Sequence, residues 1–458
     1  MLNEIASTRE DRPIVRVVQV PISKAELLQN ELRQQVATVM DIQHENFIEP
    51  SPTEEPQPVE TGLGLKSHLV ASFEGRLLGD SEAAYEQLDE QLVPLSHMAV
   101  FRTTAVPNGQ TAAESPHTIH IITGRVNPQP RPWWPNALLF VATLFSVLLV
   151  GTYLAIGTIA ETNAALADQL GSPNRILLEL WRGLPYALSL LLILGAHEMG
   201  HYFAARRHKL AVTLPYFIPM PIPGLSLIGT LGAFIQLRQP MRNRKTLFDV
   251  GAAGPLVGLL FAVPILLIGL SHATVSTMPP GTIYTYEGDS LLYAFAKTIT
   301  FGQFLPSGGY DVNITSSQLA WAGWTGLLVT ALNLIPIGQL DGGHVLYALL
   351  GEKARRLYYP LLIGIGLLAL LSNIWLLWVV LMLFFGRIYA TPLDMITPLD
   401  QRRRILAIVT LVIFVLVFVP APLTERIAEN LPVSPRNSAY MIPMALPALG
   451  MLISRWRR

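Results

Sequence analysis

Long apolar stretches fill the chain after Trp133 and restrict its fold more than any other feature. Only 14% of the 458 residues are charged, compared with about 25% in an average soluble domain. A bilayer core about 30 Å thick requires roughly 20 apolar residues for each helical span. The sequence therefore predicts a multi-pass α-helical membrane protein with about eight spans, at residues 136–159, 184–205, 247–270, 317–350, 358–372, 374–391, 405–421 and 438–455.

Two of these stretches allow an alternative to a full crossing. The fifth and sixth stretches are short and are joined only by Ser372 and Asn373, so this pair is also compatible with a shallow hairpin. Pro443 and Pro447 interrupt the last stretch, which is compatible with a re-entrant segment.

Residues 1–130 have the composition of a soluble domain, whereas 134–458 form the membrane-embedded part with a core at 180–350. Alternating apolar residues and helical periodicity predict a small N-terminal α/β domain. The acidic, proline-rich residues 45–62 predict a disordered insertion. The acidic N-terminus lacks an apolar core, so we expect neither a secretory signal nor a transit peptide there. The predicted strands are 14–22, 67–78, 97–105 and 117–126, and the predicted helices are 24–40 and 80–92.

Clusters of basic residues predict the orientation in the membrane. In an eight-span arrangement all of them fall on one side, which the positive-inside rule assigns to the cytoplasm. We therefore expect both termini and the N-terminal domain to be cytoplasmic, and the protein to lie in the cell membrane, plasma or inner. The clusters are Arg206, Arg207 and Lys209; Arg238, Arg242, Arg244 and Lys245; Lys353, Arg355 and Arg356; Arg402, Arg403 and Arg404; and Arg455, Arg457 and Arg458.

Composition also excludes several kinds of site. The chain has 32 basic residues (lysine and arginine) and 32 acidic residues (aspartate and glutamate). It has no dense basic patch interleaved with aromatic residues. The sequence therefore predicts no nucleic-acid partner. The chain has no cysteine, which excludes disulfides, thiolate metal sites and a cysteine nucleophile. A metal ion would therefore have to be bound by histidine and carboxylate.

Three strongly hydrated side chains, His197, Glu198 and His201, interrupt the apolar second span. A charged group near the middle of a bilayer costs about 3 kcal/mol or more unless it is paired or coordinated. Histidines four residues apart share one helix face, which is the spacing that binds zinc, and the intervening glutamate can take a proton from water. Zinc lowers the pKa of a coordinated water towards about 7, so the pattern favours hydrolysis. A polar triad that only hydrogen-bonds neighbouring helices is the simpler alternative.

A catalytic zinc needs a third protein ligand. Asp249 follows Thr246 at the spacing of a capping box, which favours a helix N-terminus over a metal site. Asp341 is the stronger candidate because broken helices in membranes surround protein-lined cavities. His344 is an alternative ligand, although a hydrogen-bonding role suits it better. The residues that weaken the helix around Asp341 are Asn333, Pro336, Gly338, Gly342 and Gly343.

Two motifs resemble the site-2 protease family of intramembrane zinc metalloproteases. They are HEMGH at 197–201 and NLIPIGQLDGGH at 333–344. Residues 229–258 are similar to the cyanobacterial and chloroplast branch of that family, and the resemblance covers about residues 180–350. Many members carry a PDZ domain between the two motifs, but the loop at 272–315 is too short for one.

The resemblance implies a role for each residue of the two motifs. It implies that His197, His201 and Asp341 bind Zn2+ and that Glu198 is the general base. It also implies that Asn333 holds the substrate or the oxyanion. The implied substrates are transmembrane proteins within the lipid bilayer.

Residues 211–237 are apolar but contain four prolines, so they cannot form a regular spanning helix. Basic residues on both sides predict a segment that enters the membrane from the cytoplasm and returns, with its GTLGAFIQL limb extended. A transmembrane substrate must unwind before it is cut. An exposed strand edge here would hold the unwound substrate by backbone hydrogen bonds.

Two further features have simple structural interpretations. The small residues of AGPLVG at 253–258 favour close helix packing over contact with substrate. Four tryptophans are typical of interfacial anchors, namely Trp133, Trp134, Trp321 and Trp324.

The sequence leaves three functions to compare. The leading one is an intramembrane zinc endopeptidase that hydrolyses peptide bonds in or near transmembrane segments. The alternative is a cation-binding membrane transporter, because carriers also bind cations at broken helices. A transporter has no use for Glu198 as a base, and the spans show no inverted repeat. An inactive relative has no support, because every catalytic residue type is present.

Overall fold

The computed structural model describes residues 23–48, 68–103, 116–221, 228–277, 283–307 and 310–427, which are mostly helical. The predicted strand at 14–22 and the eighth apolar stretch at 438–455 lie outside the described residues, as does most of the predicted insertion at 45–62.

The N-terminal domain packs two helices against a four-stranded antiparallel sheet with the order β1-β2-β4-β3. Strand β1 was not predicted by the residue pattern, because it is an edge strand in which only Met40 is buried. It takes up the last residues of the predicted first helix and the first residues of the predicted insertion. The elements are α1 (Lys24–Ala37), β1 (Met40–Phe47), β2 (Leu69–Leu77), α2 (Ser81–Leu92), β3 (His97–Thr103) and β4 (His117–Thr123).

Side-chain caps begin both helices of this domain. Ser23 and Glu26 form a capping box at α1, and Asp80 accepts hydrogen bonds from the first backbone amides of α2. Apolar side chains form the core between helices and sheet, where the ring of Phe101 meets the ring of Tyr85 edge-on at 5.3 Å.

Three helices among the described residues are long and apolar enough to cross a membrane. They are α3 (Trp134–Ala160), α5 (Leu184–Arg207, preceded by a 3-10 turn at Leu180–Gly183) and α6 (Arg244–Ser271), with the short α4 (Ala164–Leu170) between the first two. The first predicted span coincides with α3, the second with α5 and the third with α6. Helices α5 and α6 pack closely, since a Cβ on Gly200 would lie 2.7 Å from the backbone oxygen of Ala253.

The segment between α5 and α6 is a β-hairpin, with β5 (Tyr216–Pro219) antiparallel to β6 (Thr230–Phe234). A bridge between Val212 and Leu237 continues the pairing beyond the two strands. The GTLGAFIQL limb is therefore extended, as the sequence predicts. We refer to residues 211–219 and 228–238 as the hairpin.

The remaining apolar stretches form shorter helices. Helix length therefore does not establish the predicted number of about eight spans. The fourth stretch divides into α8 and α9, because the backbone leaves the helical conformation at 334–340. The fifth and sixth form an antiparallel pair of 11 and 12 residues. These helices are α7 (Leu291–Phe301), α8 (Gln318–Asn333), α9 (Asp341–Leu350), α10 (Tyr358–Leu368), α11 (Ile374–Phe385) and α12 (Gln401–Val417).

Four short strands connect the helix ends opposite the N-terminal domain. Strand β7 (Thr274–Thr277) pairs with β9 (Tyr310–Asn313), and β8 (Ile283–Glu287) pairs with β10 (Leu423–Ile427). The turn between α10 and α11 reaches this level, since the indole of Trp375 donates a hydrogen bond to the Pro420 carbonyl at 2.7 Å.

Two of the four predicted tryptophan anchors are core residues, which corrects that prediction. Trp133 and Trp134 are 69% and 59% exposed at the start of α3. Trp321 and Trp324 are buried and stack on each other with ring centroids 5.2 Å apart. The indole N–H of Trp324 donates to the Gly288 carbonyl, so the polar atom of this tryptophan is bonded inside the protein.

The N-terminal domain docks on the membrane-embedded part through backbone pairing. Phe101 on β3 donates its amide to the Leu393 carbonyl at 2.9 Å and accepts from the Met395 amide at 3.2 Å. On its other side the same segment pairs with the chain before α6, because the amides of Leu393 and Asp394 donate to the carbonyls of Met241 and Arg242. We call residues 393–395 the junction strand.

Candidate metal centre

Helix α5 places His197, Glu198 and His201 in the protein interior. These three residues are 3%, 5% and 7% exposed. One ligand atom from each lies within 4.8 Å of the corresponding atoms of the other two. The spacing of four residues brings the two imidazoles to one side of the helix, with ring centroids 5.0 Å apart.

Asp341 reaches the same point from the other half of the molecule. It is the first residue of α9, directly after the break in the fourth apolar stretch. Its Oδ2 lies 3.2 Å from Nε2 of His197 and 3.3 Å from Nε2 of His201. The break allows Asp341, at the start of α9, to face the two histidines of α5.

The hydrogen bond on the far side of His201 determines which ring nitrogen faces Asp341 with a lone pair. Nδ1 lies 2.7 Å from the carbonyl oxygen of Val250, which can only accept, so Nδ1 carries the proton. In the neutral imidazole, Nε2 is then an acceptor. An acceptor nitrogen facing a carboxylate at 3.3 Å requires a proton or a metal cation between them.

The distances and the donor set fit zinc. Ligands placed about 2.0–2.2 Å from a tetrahedral zinc lie about 3.3–3.5 Å from one another. The two observed separations from Asp341 match the edges of such a tetrahedron. Nitrogen and carboxylate ligands are also the types that zinc takes when thiolates are absent.

Glycines on α6 leave room for the two imidazoles. A Cβ on Gly254 would lie 2.1 Å from Nε2 of His201, and one on Gly258 would lie 3.1 Å from Nδ1 of His197. Both belong to the AGPLVG segment, where the sequence favours packing. The packing partners are the histidines themselves.

A cavity of about 410 Å³ opens beside the three α5 residues. Its walls come from the hairpin, from the chain before α6, from the break between α8 and α9, and from Ala390 and Thr391. Glu198 lies at this cavity and accepts a hydrogen bond from the backbone of Ile235 on the hairpin. The carboxylate therefore lies between the histidines and the hairpin.

Asn333 and His344 border the same cavity. Asn333 is the last residue of α8, and its Nδ2 lies 3.4 Å from Nε2 of His197. His344 lies one turn after Asp341 with its Cβ against Gly251. Among the described residues it has no hydrogen bond to His197, His201 or Asp341.

A profile of peptidase family M50 matches residues 185–372, which include both histidines, Glu198 and Asp341. The chain carries a peptidase family M50 domain. The resemblance to site-2 proteases drawn from the two motifs is thus confirmed.

Plant proteins named as probable zinc metalloproteases are similar to this chain. The chain is 29% identical over 361 residues to the probable zinc metalloprotease EGY2, chloroplastic, of Oryza sativa subsp. indica, covering 76% of this chain and 61% of that protein. It is 34% identical over 242 residues to its Arabidopsis thaliana counterpart, covering 52% and 42%. The probable zinc metalloprotease EGY1, chloroplastic, of Oryza sativa subsp. japonica is 29% identical over 382 residues, covering 78% and 64%. The chain therefore spans less than two thirds of each of these relatives. No solved structure matches the chain.

Asp249 has a different role in the M50 domain from the one its spacing predicts. Asn243, not Asp249 or Thr246, caps α6 by accepting a hydrogen bond from the Thr246 amide at 3.0 Å. Asp249 instead binds the guanidinium of Arg403 through both carboxylate oxygens, each at 2.7 Å. His208 donates to the same carboxylate at 2.8 Å. Asp249 thus joins α6 to α12 near the N-terminal domain.

The second limb of the hairpin presents a free edge to the M50 cavity. In an antiparallel pair, alternate residues bond to opposite edges. Gln236 and Arg238 bond back to the first limb through Thr213 and Ala211. The backbones of residues 233, 235 and 237 therefore point to the other edge, in agreement with the hydrogen bond between Ile235 and Glu198.

Proposed function

We propose that this chain is an intramembrane zinc endopeptidase that hydrolyses peptide bonds in or near transmembrane segments of membrane proteins. One observation carries the proposal: Asp341 approaches the Nε2 atoms of both His197 and His201 within 3.3 Å, next to Glu198. The M50 match and the relatives named as probable zinc metalloproteases support it.

Each residue of the centre has one task in this proposal. His197, His201 and Asp341 hold zinc, which supplies a Lewis acid for polarising the peptide carbonyl and acidifying water. Glu198 accepts the proton of the attacking water and returns it to the nitrogen of the leaving amine. Asn333 donates from Nδ2 to the oxygen that becomes negatively charged during attack.

The hairpin edge orients the substrate. An unwound segment that adds as a strand beside residues 233–237 would run along the cavity and pass Glu198. Backbone hydrogen bonds would hold it without regard to most of its side chains. The edge also satisfies the substrate's backbone groups, which would otherwise be unpaired inside the membrane.

We further propose about eight membrane-inserted segments, with the N-terminal domain and both termini on the cytoplasmic side of the cell (plasma or inner) membrane. The N-terminal domain, the C-terminal end of α5 and the start of α12 share one side, and β7 to β10 lie opposite. The contact between Trp375 and Pro420 supports insertion of α10 and α11 to the level of the far end of α12. The three relatives are named chloroplastic, and the basic clusters of this chain support the proposed orientation.

The absence of cysteine allows a direct test of this orientation. Single cysteines at Glu90 on α2 and at Asp168 on α4, both exposed, give one probe for each side. A membrane-impermeant maleimide added to right-side-out vesicles should label only the Asp168→Cys variant until the vesicles are opened. Labelling of both cysteines in sealed vesicles contradicts the orientation.

Zinc content and cleavage of a model transmembrane substrate together test the function. We expect Glu198→Gln to keep zinc and lose cleavage, because the amide cannot accept the proton. Asp341→Ala should lose both. Glu90→Gln, an exposed change in the N-terminal domain, is the control and should keep both. Cleavage by the Glu198→Gln variant at the wild-type rate would refute the assigned base.

A further inference from the structure

A second cavity lies on the other side of the hairpin from the metal centre. It has a volume of about 310 Å³, within the range of about 300–1,000 Å³ usual for small-molecule sites. Its walls come from the start of α3, the end of α5 and both limbs of the hairpin. We call it the basic cavity, after Arg131, Arg206 and Arg238 in its wall.

The three guanidinium groups are not neutralised by the protein. The residues that line the basic cavity include no carboxylate. Arg131 donates to the side-chain oxygen of Gln236 at 2.9 Å, and Arg238 donates to the carbonyl of Gln129. The Arg206 side chain makes no hydrogen bond within the part of the chain that the structure describes, and none of the three guanidinium groups forms an ion pair there. Other arginines, such as Arg403 and Arg125, are paired with carboxylates.

The cavity lies at the depth of lipid headgroups on the side of the N-terminal domain. Helix α3 begins there, and α5 ends there, so both membrane-crossing helices meet it at the same end. Trp133, which is 69% exposed, stands at its rim, where amphipathic rings mark the membrane interface.

Exposed apolar side chains continue from the cavity towards the membrane interior. Leu214 lines the cavity itself and is 43% exposed. Phe203 precedes Arg206 by one turn of α5, and Leu138 follows Trp134 by one turn of α3; they are 64% and 62% exposed. A phosphate group bound in the cavity would therefore lie directly beside an apolar protein surface against which the acyl chains of a lipid can pack. A water-soluble anion has no use for that surface.

We propose that the basic cavity binds the phosphate headgroup of an anionic phospholipid, with its acyl chains against α3 and α5. Guanidinium groups bind phosphate through paired hydrogen bonds, and basic pockets between membrane helices bind anionic headgroups. The lipid would contact the limb of the hairpin that faces away from Glu198. Asn136 holds that limb through the carbonyls of Leu214 and Pro215, so the wall of the cavity is fixed before a lipid enters.

Native mass spectrometry of the full-length protein in detergent tests the proposal without any need for proteolysis. The probes are dioleoylphosphatidylglycerol, dioleoylphosphatidylcholine and inorganic phosphate. We expect the wild type to retain one phosphatidylglycerol more tightly than phosphatidylcholine, and phosphate alone to bind far more weakly. Equal retention of the two lipids overturns the proposal. Binding of phosphate as tight as that of the lipid indicates a soluble-anion site and also overturns it.

A charge-matched pair of variants separates the cavity from general surface attraction. The cavity variant carries Arg131→Gln, Arg206→Gln and Arg238→Gln. The control removes three exposed charges of the same face outside the cavity, by Arg207→Gln, Lys209→Gln and Arg356→Gln. We expect phosphatidylglycerol affinity to fall about tenfold to a hundredfold in the cavity variant and little in the control. An equal fall in both overturns the assignment.

Two further arms keep the test decisive. Arg206→Gln alone should lower the affinity about fivefold without disturbing the fold, because this side chain has no partner among the described residues. A soluble acidic peptide is the competitor for the last arm. If it displaces phosphatidylglycerol and binds equally well without lipid, the cavity recognises protein segments, and the lipid proposal fails.

Discussion

His201 donates its Nδ1–H to the carbonyl oxygen of Val250 across 2.7 Å, and α6 thereby fixes the ring that faces Asp341. Hydrogen bonds of this kind hold metal-ligating histidines in one tautomer and one orientation. The ring has little freedom to move aside, because α6 contacts it on two sides.

Gly254→Ala tests how strictly α6 positions this imidazole. The added Cβ would lie 2.1 Å from Nε2 of His201, so the ring must leave its place. We expect zinc affinity to fall at least about tenfold, measured by competition with a chelator. Gly157→Ala on α3, where a Cβ meets no atom within 4 Å, should leave it unchanged. Unaltered zinc affinity in Gly254→Ala would mean that the ring is not a ligand in this position.

Ala233→Pro tests capture of substrate at the hairpin edge. Residue 233 alternates with Ile235, whose backbone bonds to Glu198, so we expect its N–H at the same edge, and proline removes that donor. We expect cleavage of a transmembrane substrate to fall at least about tenfold while zinc content stays at the wild-type level. Ala233→Ser keeps the N–H and is the control. Gly232 is less suitable, because its φ of 101° excludes proline for conformational reasons alone. Equal cleavage by the proline and serine variants would remove the edge from the mechanism.

Glu287 gives the protein a stability that depends on pH. Burial raises the pKa of this carboxyl to about 8, and the charge of Asp311 adds to the increase. The folded protein then keeps its proton between about pH 4.5 and 8 while the unfolded chain loses it, so stability is greatest below pH 4.5 and falls as the pH rises through 8. Glu287→Gln should raise Tm by several degrees at pH 8 and little at pH 5.

The control for this prediction is Asp168→Asn, an exposed carboxylate on the same side of the membrane. Its Tm should follow the wild type at both values of pH. Thermal unfolding in detergent provides the measurement. A Glu287→Gln variant that is destabilised equally at pH 5 and pH 8 would show that the hydrogen bond from Tyr293 outweighs the proton.

Arg102→Met tests the docking of the N-terminal domain. The Arg102 guanidinium donates to the carbonyls of Pro392 and Leu393 at 3.1 and 2.8 Å, next to the junction strand. Loss of hydrogen bonds to a charged group costs about 1.5–3 kcal/mol. We expect hydrogen exchange at the amides of Phe101 and Met395, which bond across the interface, to accelerate at least about tenfold. Arg76→Met, exposed on β2, should leave these amides protected, and equal exchange in both variants contradicts the docking role.

The sequence predicts the grouping of the candidate metal ligands better than it predicts their surroundings. His197 and His201 are four residues apart, so helical geometry alone brings them together. Asp341 can be selected because glycine and proline mark the break that turns it inward. Val250 acts through its backbone carbonyl, and Gly254 acts by having no side chain that would collide with His201. Neither role depends on a side-chain pattern, so hydrophobic periodicity does not predict it.

Pairing between distant segments limits the prediction of the fold. Strand β1 exposes most of its residues, which hides it from an alternation rule. The junction strand lies nearly 300 residues from Phe101 in the chain, and no local pattern connects them. Trp321 and Trp324 are of the residue type that is typical of membrane anchors, but neighbouring helices bury them in the folded protein. Asp249 has the spacing of a capping residue, but Arg403 decides its role.

The junction strand links the N-terminal domain rigidly to the rim of the cavity beside the candidate metal centre. It runs directly on from Thr391 in the cavity wall and is bonded on its other edge to Met241, which is also in that wall. A binding partner that shifts the N-terminal domain by a few ångströms would therefore also shift the cavity wall. This wall borders the entrance through which a peptide bond would reach Glu198.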